Sequence, residues 1–175
     1  MSIKSRIRTI PDFPRKGVMF RDITSLIEDP LGFRLCVDDF ARHYRDTKAD
    51  LIVGVDSRGF IFGGVLAYLL QKGFVPVRKE GKLPDEVVSQ QYTLEYGEGI
   101  LEIHRNAIQS GHKVLIVDDL VATGGTAVAA IKLVRKLGGD VAGFAAVVNL
   151  PDLGGAQLIE DSGVPLYAQT EFSGE

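Results

Sequence analysis

The chain has 175 residues, a formal net charge of −3, and 45% hydrophobic against 25% charged residues. This length and composition predict one soluble domain over residues 1–175, located in the cytoplasm, and the net negative charge argues against nucleic acid as a partner. Cys36 is the single cysteine, which excludes an internal disulfide framework, and no apolar stretch reaches the roughly 18 residues of a membrane span.

The segment 10–23 holds two prolines, a glycine and two phenylalanines, which predicts an ordered loop rather than a regular element. Beyond it, the hydrophobic pattern predicts helices at 24–30 (a short turn), 31–45, 60–72 (stopped by Gly73), 126–137 and after Gly154. It predicts strands at 51–55, 74–77, 101–107 (with a turn), 114–117, 140–148 and 166–168. Strands that alternate with helices favour an α/β fold, with a parallel sheet flanked by helices.

The polar segment 79–99 interrupts this alternation. It predicts a long, mobile loop that carries a short pair of strands near 89–95. Loops of this length inside a compact domain are usually lids or binding loops.

Two acids, Asp118 and Asp119, directly follow the apolar run 114–117. The next residues before the helix include Ala122, Thr123, Gly124, Gly125 and Thr126. Backbone N–H groups at a helix start bind phosphate, and paired carboxylates accept hydrogen bonds from hydroxyls, so this segment predicts a site for a phosphorylated sugar. It has neither the lysine of a Walker A loop nor the glycine spacing of a dinucleotide-binding loop. A solvated acid pair before a capping threonine is the alternative, but it does not explain the two adjacent glycines.

Two further loops carry positive charge. Asp56-Ser57-Arg58-Gly59 follows the strand 51–55, and an arginine there suits an oxyanion, although a plain surface turn is an alternative. Arg78, Lys79 and Lys82 form a basic group in an acidic protein, and an ordinary solvated charge run is the alternative.

The stretch VLIVDDLVATGGT resembles the phosphoribosyl-diphosphate-binding motif of the type I phosphoribosyltransferases. Four more segments are similar to the adenine-specific members of that family, in the same order and approximate spacing. They are FPRKGVMFRDI, VGVDSRGFIFG, VRKEGKLP and YTLEYGEGILEI. The resemblance covers nearly the whole chain. It implies the type I phosphoribosyltransferase fold, a small hood to which residues 1–30 contribute, and a flexible loop.

The resemblance also implies a reaction. Phosphoribose would pass from 5-phosphoribosyl 1-diphosphate to adenine, giving AMP and diphosphate in purine salvage. The segment 122–126 would hold the 5-phosphate, and Asp118 and Asp119 would meet the ribose hydroxyls and stabilise the positive charge that develops on the sugar. The family's diphosphate loop corresponds to Ser57 and Arg58, where the family has a non-proline cis peptide bond.

The same resemblance assigns the remaining site. The loop with Arg78, Lys79 and Lys82 would close over the diphosphate and exclude water. Glu95 would be the catalytic base for the purine nitrogen, with Tyr96 either orienting it or only packing, whereas Glu98 and Glu102 are expected to be solvated.

Adenine recognition would lie in the hood. Phe20 would stack on the base, although core packing is the alternative, and backbone groups near Met19 and Arg21 would read its edge. Leu150 would cover the opposite face. The family implies magnesium as cofactor, held mainly by substrate oxygens rather than by protein ligands, and a homodimer.

Two alternatives stay open. The first is the same enzyme class acting on hypoxanthine, guanine or xanthine, against which the segments VMFRDI and LEYG argue. The second is a non-enzymatic regulator on this fold that binds nucleic acid. Such a protein would show a basic face or an added DNA-binding segment, and the net charge of −3 argues against it.

Overall fold

The computed structural model describes residues 2–93 and 97–174. Its helices are α1 Thr24–Glu28, α2 Pro30–His43, α3 Gly59–Leu70, α4 Gly125–Lys136 and α5 Gly155–Asp161. Its strands are β1 Arg8–Pro11, β2 Met19–Asp22, β3 Leu51–Val55, β4 Gly73–Lys79, β5 Val87–Thr93, β6 Glu98–His104, β7 Lys113–Val121, β8 Asp140–Asn149 and β9 Leu166–Glu171. Single 3₁₀ turns lie at Lys4–Arg6 and Pro151–Leu153. No helix within these ranges is long and apolar enough to cross a membrane.

The main sheet has the strand order β5-β6-β4-β3-β7-β8-β9. The five strands from β4 to β9 in this order pair in parallel, and β5 and β6 extend one edge in antiparallel orientation. The predicted α/β fold with a mainly parallel, helix-flanked sheet is therefore confirmed. Parallel strands such as β3 and β7 are covered on both faces, which explains their continuous apolar runs.

Apolar side chains pack on each face of the sheet. One cluster joins the sheet to α4 and α5, with Ile131, Leu133 and Ile159 fully buried. The other joins the opposite face to α2 and α3, with Phe40 and Phe62 fully buried. The sheet is thus a rigid central layer on which loops can be positioned.

The strand order reverses direction between β3 and β7. After β3 the chain adds β4 on one side, whereas β7, β8 and β9 are added on the other side. In open α/β sheets, the loops at the carboxyl ends of two such strands separate and leave a crevice in which ligands bind. The loop after β3 and the end of β7 therefore face a common crevice.

The hood contains a hairpin that the sequence did not reveal. The prediction of an irregular loop over 10–23 is wrong at its ends, because β1 and β2 pair antiparallel, with Ile10 opposite Phe20 and Pro11 opposite Met19. Pro11 is the last residue of an edge strand, a position that tolerates the missing N–H. Ile23 and Leu26 are buried in the same cluster as α2 and α3, which anchors the hood to the sheet.

The described parts of the segment 79–99, residues 79–93 and 97–99, are more regular than predicted. The predicted short strand pair is a seven-residue strand, β5, paired along its length with β6, and β6 begins at Glu98 rather than at 101. Alternate β5 side chains are exposed, so its polar residues hid the strand from the hydrophobic pattern. Helix α3 ends at Leu70 with Gln71 in the left-handed region, before the predicted stop at Gly73.

Candidate functional site

A cleft of about 370 Å³ lies at the carboxyl ends of β3 and β7. It brings together predicted residues from three separate parts of the chain. Those that line it are Ser57, Arg58, Lys79, Asp118, Asp119, Ala122, Thr123, Gly124, Gly125 and Thr126. Arg78 and Lys82 are not among the lining residues, whereas Asp56, Tyr92 and Leu153, which the sequence analysis did not select, are.

The segment 122–126 forms a tight loop that leads into α4. Gly124 has φ of 85°, a left-handed conformation that favours glycine, and α4 begins at Gly125. The N–H groups of the first helical turn have no partner within the helix, so they can bind an anion at this end of the cleft. The loop thus has the geometry that a phosphate monoester requires.

The phosphate-loop geometry depends on Gly155, which the sequence analysis missed. The Gly155 amide donates a hydrogen bond to the carbonyl of Ala122 at 2.9 Å. A Cβ on Gly155 would lie 2.6 Å from the Gly124 nitrogen and closer still to the Ala122 oxygen. Helix α5 therefore packs its first residue directly against the loop backbone. The adjacent Gly154-Gly155 pair was the only sign of this contact in the sequence.

The two acids lie inside β7, not in the loop after it as predicted. Asp118 pairs with Ala146 of β8, because the longer β8 continues the ladder of hydrogen bonds past the acids. Asp118 is 9% exposed and Asp119 6%. The Asp119 amide donates to Oδ1 of Asp118 at 2.8 Å. Burial, followed by the negative charge of Asp119, raises the pKa of Asp118 well above its ordinary value.

Arg58 neutralises part of this charge. Its Nε donates to Oδ2 of Asp119 at 2.5 Å, with the arginine side chain half exposed. Glycine at position 59 allows the start of α3 to pack closely against β7, because a Cβ there would lie 2.7 Å from the carbonyl oxygen of Val117. The sequence alone gave no reason to select Gly59. The cleft therefore holds one cation directly beside the acid pair.

The loop after β3 also contacts the turn 79–82 that follows β4, which we call the basic turn. The peptide bond between Asp56 and Ser57 is cis. The Asp56 carboxylate accepts from Nε of Arg78 and from the amide of Lys79, both at 3.4 Å. Nη1 of Arg78 donates to the carbonyl of Lys82 at 3.2 Å. Arg78 thus links the turn to Asp56 through its guanidinium group, whereas Lys79 lines the cleft.

Glu102 is not solvated as predicted. It is 8% exposed, and its carboxylate accepts from the amide of Gly81 at 3.0 Å and from the hydroxyl of Ser89 at 3.3 Å. Glu98 is exposed, in agreement with the expectation. Glu95 and Tyr96 lie outside the described residues.

The predicted adenine residues lie in the hood and beside it. Phe20 is half-buried and meets the ring of Phe13 edge-on, with centroids 5.0 Å apart. The Arg21 guanidinium lies 4.4 Å over the ring of Phe172. Within the described ranges, β2 pairs with β1, where Met19 lies opposite Pro11 and Arg21 opposite Thr9. Leu150 is buried, and none of these residues lines the 370 Å³ cleft.

Comparisons with known proteins agree with this geometry. Residues 24–164 match the model of the phosphoribosyl transferase domain. An adenine phosphoribosyltransferase of Chlorobium limicola is 59% identical over 177 residues, which covers 100% of both chains.

The chain belongs to the adenine phosphoribosyltransferase family. Two solved structures of family members share its fold. That from Thermoanaerobacter pseudethanolicus has 46% identity and a TM-score of 0.92, covering 97% of this chain and 98% of that one. That from Saccharomyces cerevisiae has 39% identity and a TM-score of 0.89, covering 96% of each chain, and is complexed with adenine and an imino-altritol 1,6-bisphosphate.

This member of the adenine phosphoribosyltransferase family has a second, larger groove of about 590 Å³ between β5, α4 and α5. It shares Thr123 and Gly125 of the phosphate loop with the smaller cleft, and its charged lining residues are Lys132 and Asp161. Neither Asp118 nor Arg58 reaches it. The acids, the phosphate loop and Arg58 meet in the smaller cleft.

Proposed function

We propose that this chain transfers the phosphoribosyl group from 5-phosphoribosyl 1-diphosphate to adenine, forming AMP and diphosphate in purine salvage. The observation that carries the proposal is the acid pair Asp118 and Asp119 next to the loop 122–126 in one cleft, in a chain that matches adenine phosphoribosyltransferases along its full length. A phosphate monoester and a vicinal diol on one sugar fit this pair of features.

Asp118 and Asp119 would stabilise the transition state. As the bond from the sugar to diphosphate breaks, positive charge develops on the ring carbon and oxygen. The carboxylates of Asp118 and Asp119 would accept hydrogen bonds from the ribose hydroxyls and stabilise that charge. Their burial strengthens the effect, because the local dielectric constant is lower than that of water. The N–H groups of 122–126 hold the 5-phosphate and so fix the sugar.

The leaving diphosphate meets the basic side of the cleft. Arg58 can exchange Asp119 for diphosphate oxygens, and Lys79 with the neighbouring loop at Ser57 completes the anion site. Arg78 would support this turn through its hydrogen bonds to Asp56 and to the carbonyl of Lys82.

Magnesium fits this donor set when it is shared with the substrate. The described residues hold no group of three or more His, Cys, Asp or Glu that could bind a metal alone. Mg²⁺ typically takes one or two carboxylates at most, together with phosphate oxygens and water. We propose that diphosphate and ribose oxygens carry it, near Asp118 and Asp119. Bound there, it would neutralise the charge that accumulates on diphosphate.

A transfer assay with four purine bases tests this function. Purified protein is given 5-phosphoribosyl 1-diphosphate, magnesium and each of adenine, hypoxanthine, guanine and xanthine, and nucleotide formation is followed by chromatography. We expect AMP formation to exceed that of every other nucleotide by a wide margin. Equal rates with a 6-oxopurine would reject the adenine assignment. Binding of duplex DNA without any transfer would favour the regulator instead.

Adenine would stack on Phe20, with backbone groups near Met19 and Arg21 reading its polar atoms. We expect Phe20→Ala to raise the KM for adenine about 5- to 100-fold, because stacking on an aromatic ring contributes about 1–3 kcal/mol per base. Phe20→Tyr keeps the ring and serves as the control. Initial rates with varied adenine measure the effect, and an unchanged KM in Phe20→Ala would place the base elsewhere.

Glu95 remains our candidate for the general base. Glu95→Gln should lower kcat about 10²-fold or more, a typical loss for general-base removal, while the Kd of 5-phosphoribosyl 1-diphosphate stays within error. Stopped-flow rates and calorimetry separate these two quantities. Wild-type turnover in Glu95→Gln would remove this residue from catalysis.

We propose a homodimer that uses the outer face of α3. Ile61, Val65, Tyr68 and Leu69 follow helical spacing on that face, and Tyr68 is 81% exposed. Gly64 on the same face has no atom within 4 Å of its would-be Cβ, which leaves room for a close neighbour. An exposed apolar helix face of this kind is typical of protein interfaces.

Tyr68→Glu should therefore shift the protein to monomer, because a carboxylate would be buried at the interface. Sedimentation equilibrium measures the mass, and Tyr68→Phe is the control that keeps the apolar ring. A Tyr68→Glu protein that remains dimeric would exclude this face.

We also propose that residues 1–175 act as one domain in the cytoplasm. The shared cluster of the hood and α2 supports one domain, and a single buried cysteine is compatible with a reducing compartment. One cooperative unfolding transition, together with cell fractionation, would test both parts.

A further inference from the structure

Glu102 is a buried acid that the proposed mechanism does not use. It lies on β6 between two neighbours, directly opposite Arg78 of β4 and Ser89 of β5. Burying a carboxylate is costly unless hydrogen bonds or charges compensate. Its partners are therefore informative, and one of them belongs to the basic turn.

That partner is the amide of Gly81, at the tip of the turn after β4. Gly81 has φ of +74°, a conformation that favours glycine, and the Lys82 amide donates to the carbonyl of Lys79 across the turn. The bond of 3.0 Å from the Gly81 amide to Glu102 ties the tip to β6. The other bond of Glu102, from Ser89, ties the same carboxylate to β5.

A second acid holds the opposite end of the turn. Asp56 accepts from Arg78 and from the amide of Lys79, in the loop whose next residues, Ser57 and Arg58, line the cleft. The turn is thus held at its base by Asp56 and at its tip by Glu102. Lys79, the last residue of β4, is the turn residue that lines the cleft, between these two contacts.

We propose that Glu102 is a positioning residue that sets the basic turn 79–82 for the diphosphate and acts through its hydrogen bond to the Gly81 amide. The inference rests on the proposed function, since it concerns the leaving-group side of that site. It predicts a selective effect. Ligands that carry diphosphate depend on Glu102, whereas AMP, which has only the 5-phosphate, does not.

Three variants separate the hydrogen bond from the charge. Glu102→Ala removes both, Glu102→Gln keeps an acceptor oxygen at the same reach, and Glu102→Asp keeps the charge but withdraws the oxygen. Glu98→Ala, an exposed acid on the same strand, is the matched control. Calorimetry with inorganic diphosphate plus magnesium and, separately, with AMP gives the dissociation constants.

We expect Glu102→Ala and Glu102→Asp to raise the Kd of diphosphate about tenfold, the loss typical of a hydrogen bond to a charged group. We expect Glu102→Gln to stay within about threefold of wild type and AMP binding to be unchanged throughout. Equal weakening of diphosphate and AMP, or a stronger loss in Glu102→Gln than in Glu102→Asp, would overturn the proposal.

If Glu102→Ala does not fold, the comparison of Gln with Asp still decides. A failure of the Glu102 proposal can also be distinguished from a failure of the proposed function. In that case wild-type protein would form no AMP from adenine, whatever residue stands at position 102.

Discussion

Asp118→Asn is expected to lower kcat/KM about 10²- to 10³-fold. Loss of one group that stabilises transition-state charge typically costs about 3–4 kcal/mol, and asparagine retains the shape of Asp118 without its charge. The effect should fall mainly on kcat, because the charge on the sugar develops only in the transition state. Steady-state rates with saturating adenine and varied 5-phosphoribosyl 1-diphosphate measure it.

The same substitution should stabilise the fold at neutral pH. The folded state raises the pKa of Asp118 above its ordinary value of 3.8, mainly through burial and then through Asp119. Between 3.8 and that raised pKa, the folded chain binds more protons than the unfolded chain. Wild-type stability therefore falls as pH rises through this interval, and the deficit persists at higher pH. Asp118→Asn does not titrate, so its advantage should be absent at pH 3 and should grow as the pH rises above 3.8.

Urea unfolding at a series of pH values tests this second effect. Asp46→Asn, at an exposed position, is the control and should change neither stability nor rate. If the stability of Asp118→Asn relative to wild type did not increase with pH, the burial penalty that we assign to Asp118 would be absent. If it kept full activity, its carboxylate would have no role at the sugar.

Gly155→Ala is expected to be the most damaging change outside the residues that face substrate. The new methyl would overlap the backbone of Ala122 and Gly124, and neither can give way as a flexible side chain would. Forcing extra volume into such a contact costs about 1–3 kcal/mol of stability. A shift of about 1 Å in the phosphate loop lowers kcat/KM by about 10²-fold. Thermal unfolding and initial rates measure the two losses.

Gly143→Ala is the matched control. A Cβ at Gly143 meets its nearest atom at 3.5 Å, an ordinary contact, in the middle of β8. This variant should keep wild-type KM for 5-phosphoribosyl 1-diphosphate. A Gly155→Ala protein with the same KM as Gly143→Ala would show that α5 does not shape the loop.

The sequence predicted well the parts of the molecule that local pattern controls. The apolar run at 114–117 and the glycines after it predicted strand, loop and helix, because a strand buried on both faces leaves a continuous apolar signal. The same run led to Asp118 and Asp119. The sequence predicted that both acids lie in the loop after the strand. They lie within β7 because β8 is long enough to pair with β7 beyond them.

Contacts between distant segments could not be read in this way. Gly155 and Gly59 are required by backbone atoms of other elements, and glycine alone does not reveal what approaches it. Glu102 looked like a solvated acid because its burial depends on β4 and β5 on either side. The β1–β2 hairpin was not predicted because prolines such as Pro11 argue against a strand.

A crystal structure of this protein with AMP tests the central claim most directly. The account predicts the 5-phosphate on the N–H groups of 122–126, both ribose hydroxyls on Asp118 and Asp119, and adenine against Phe20 at the edge of β2. AMP bound with its phosphate beside Lys132 in the 590 Å³ groove, or with its ribose away from both acids, would contradict it.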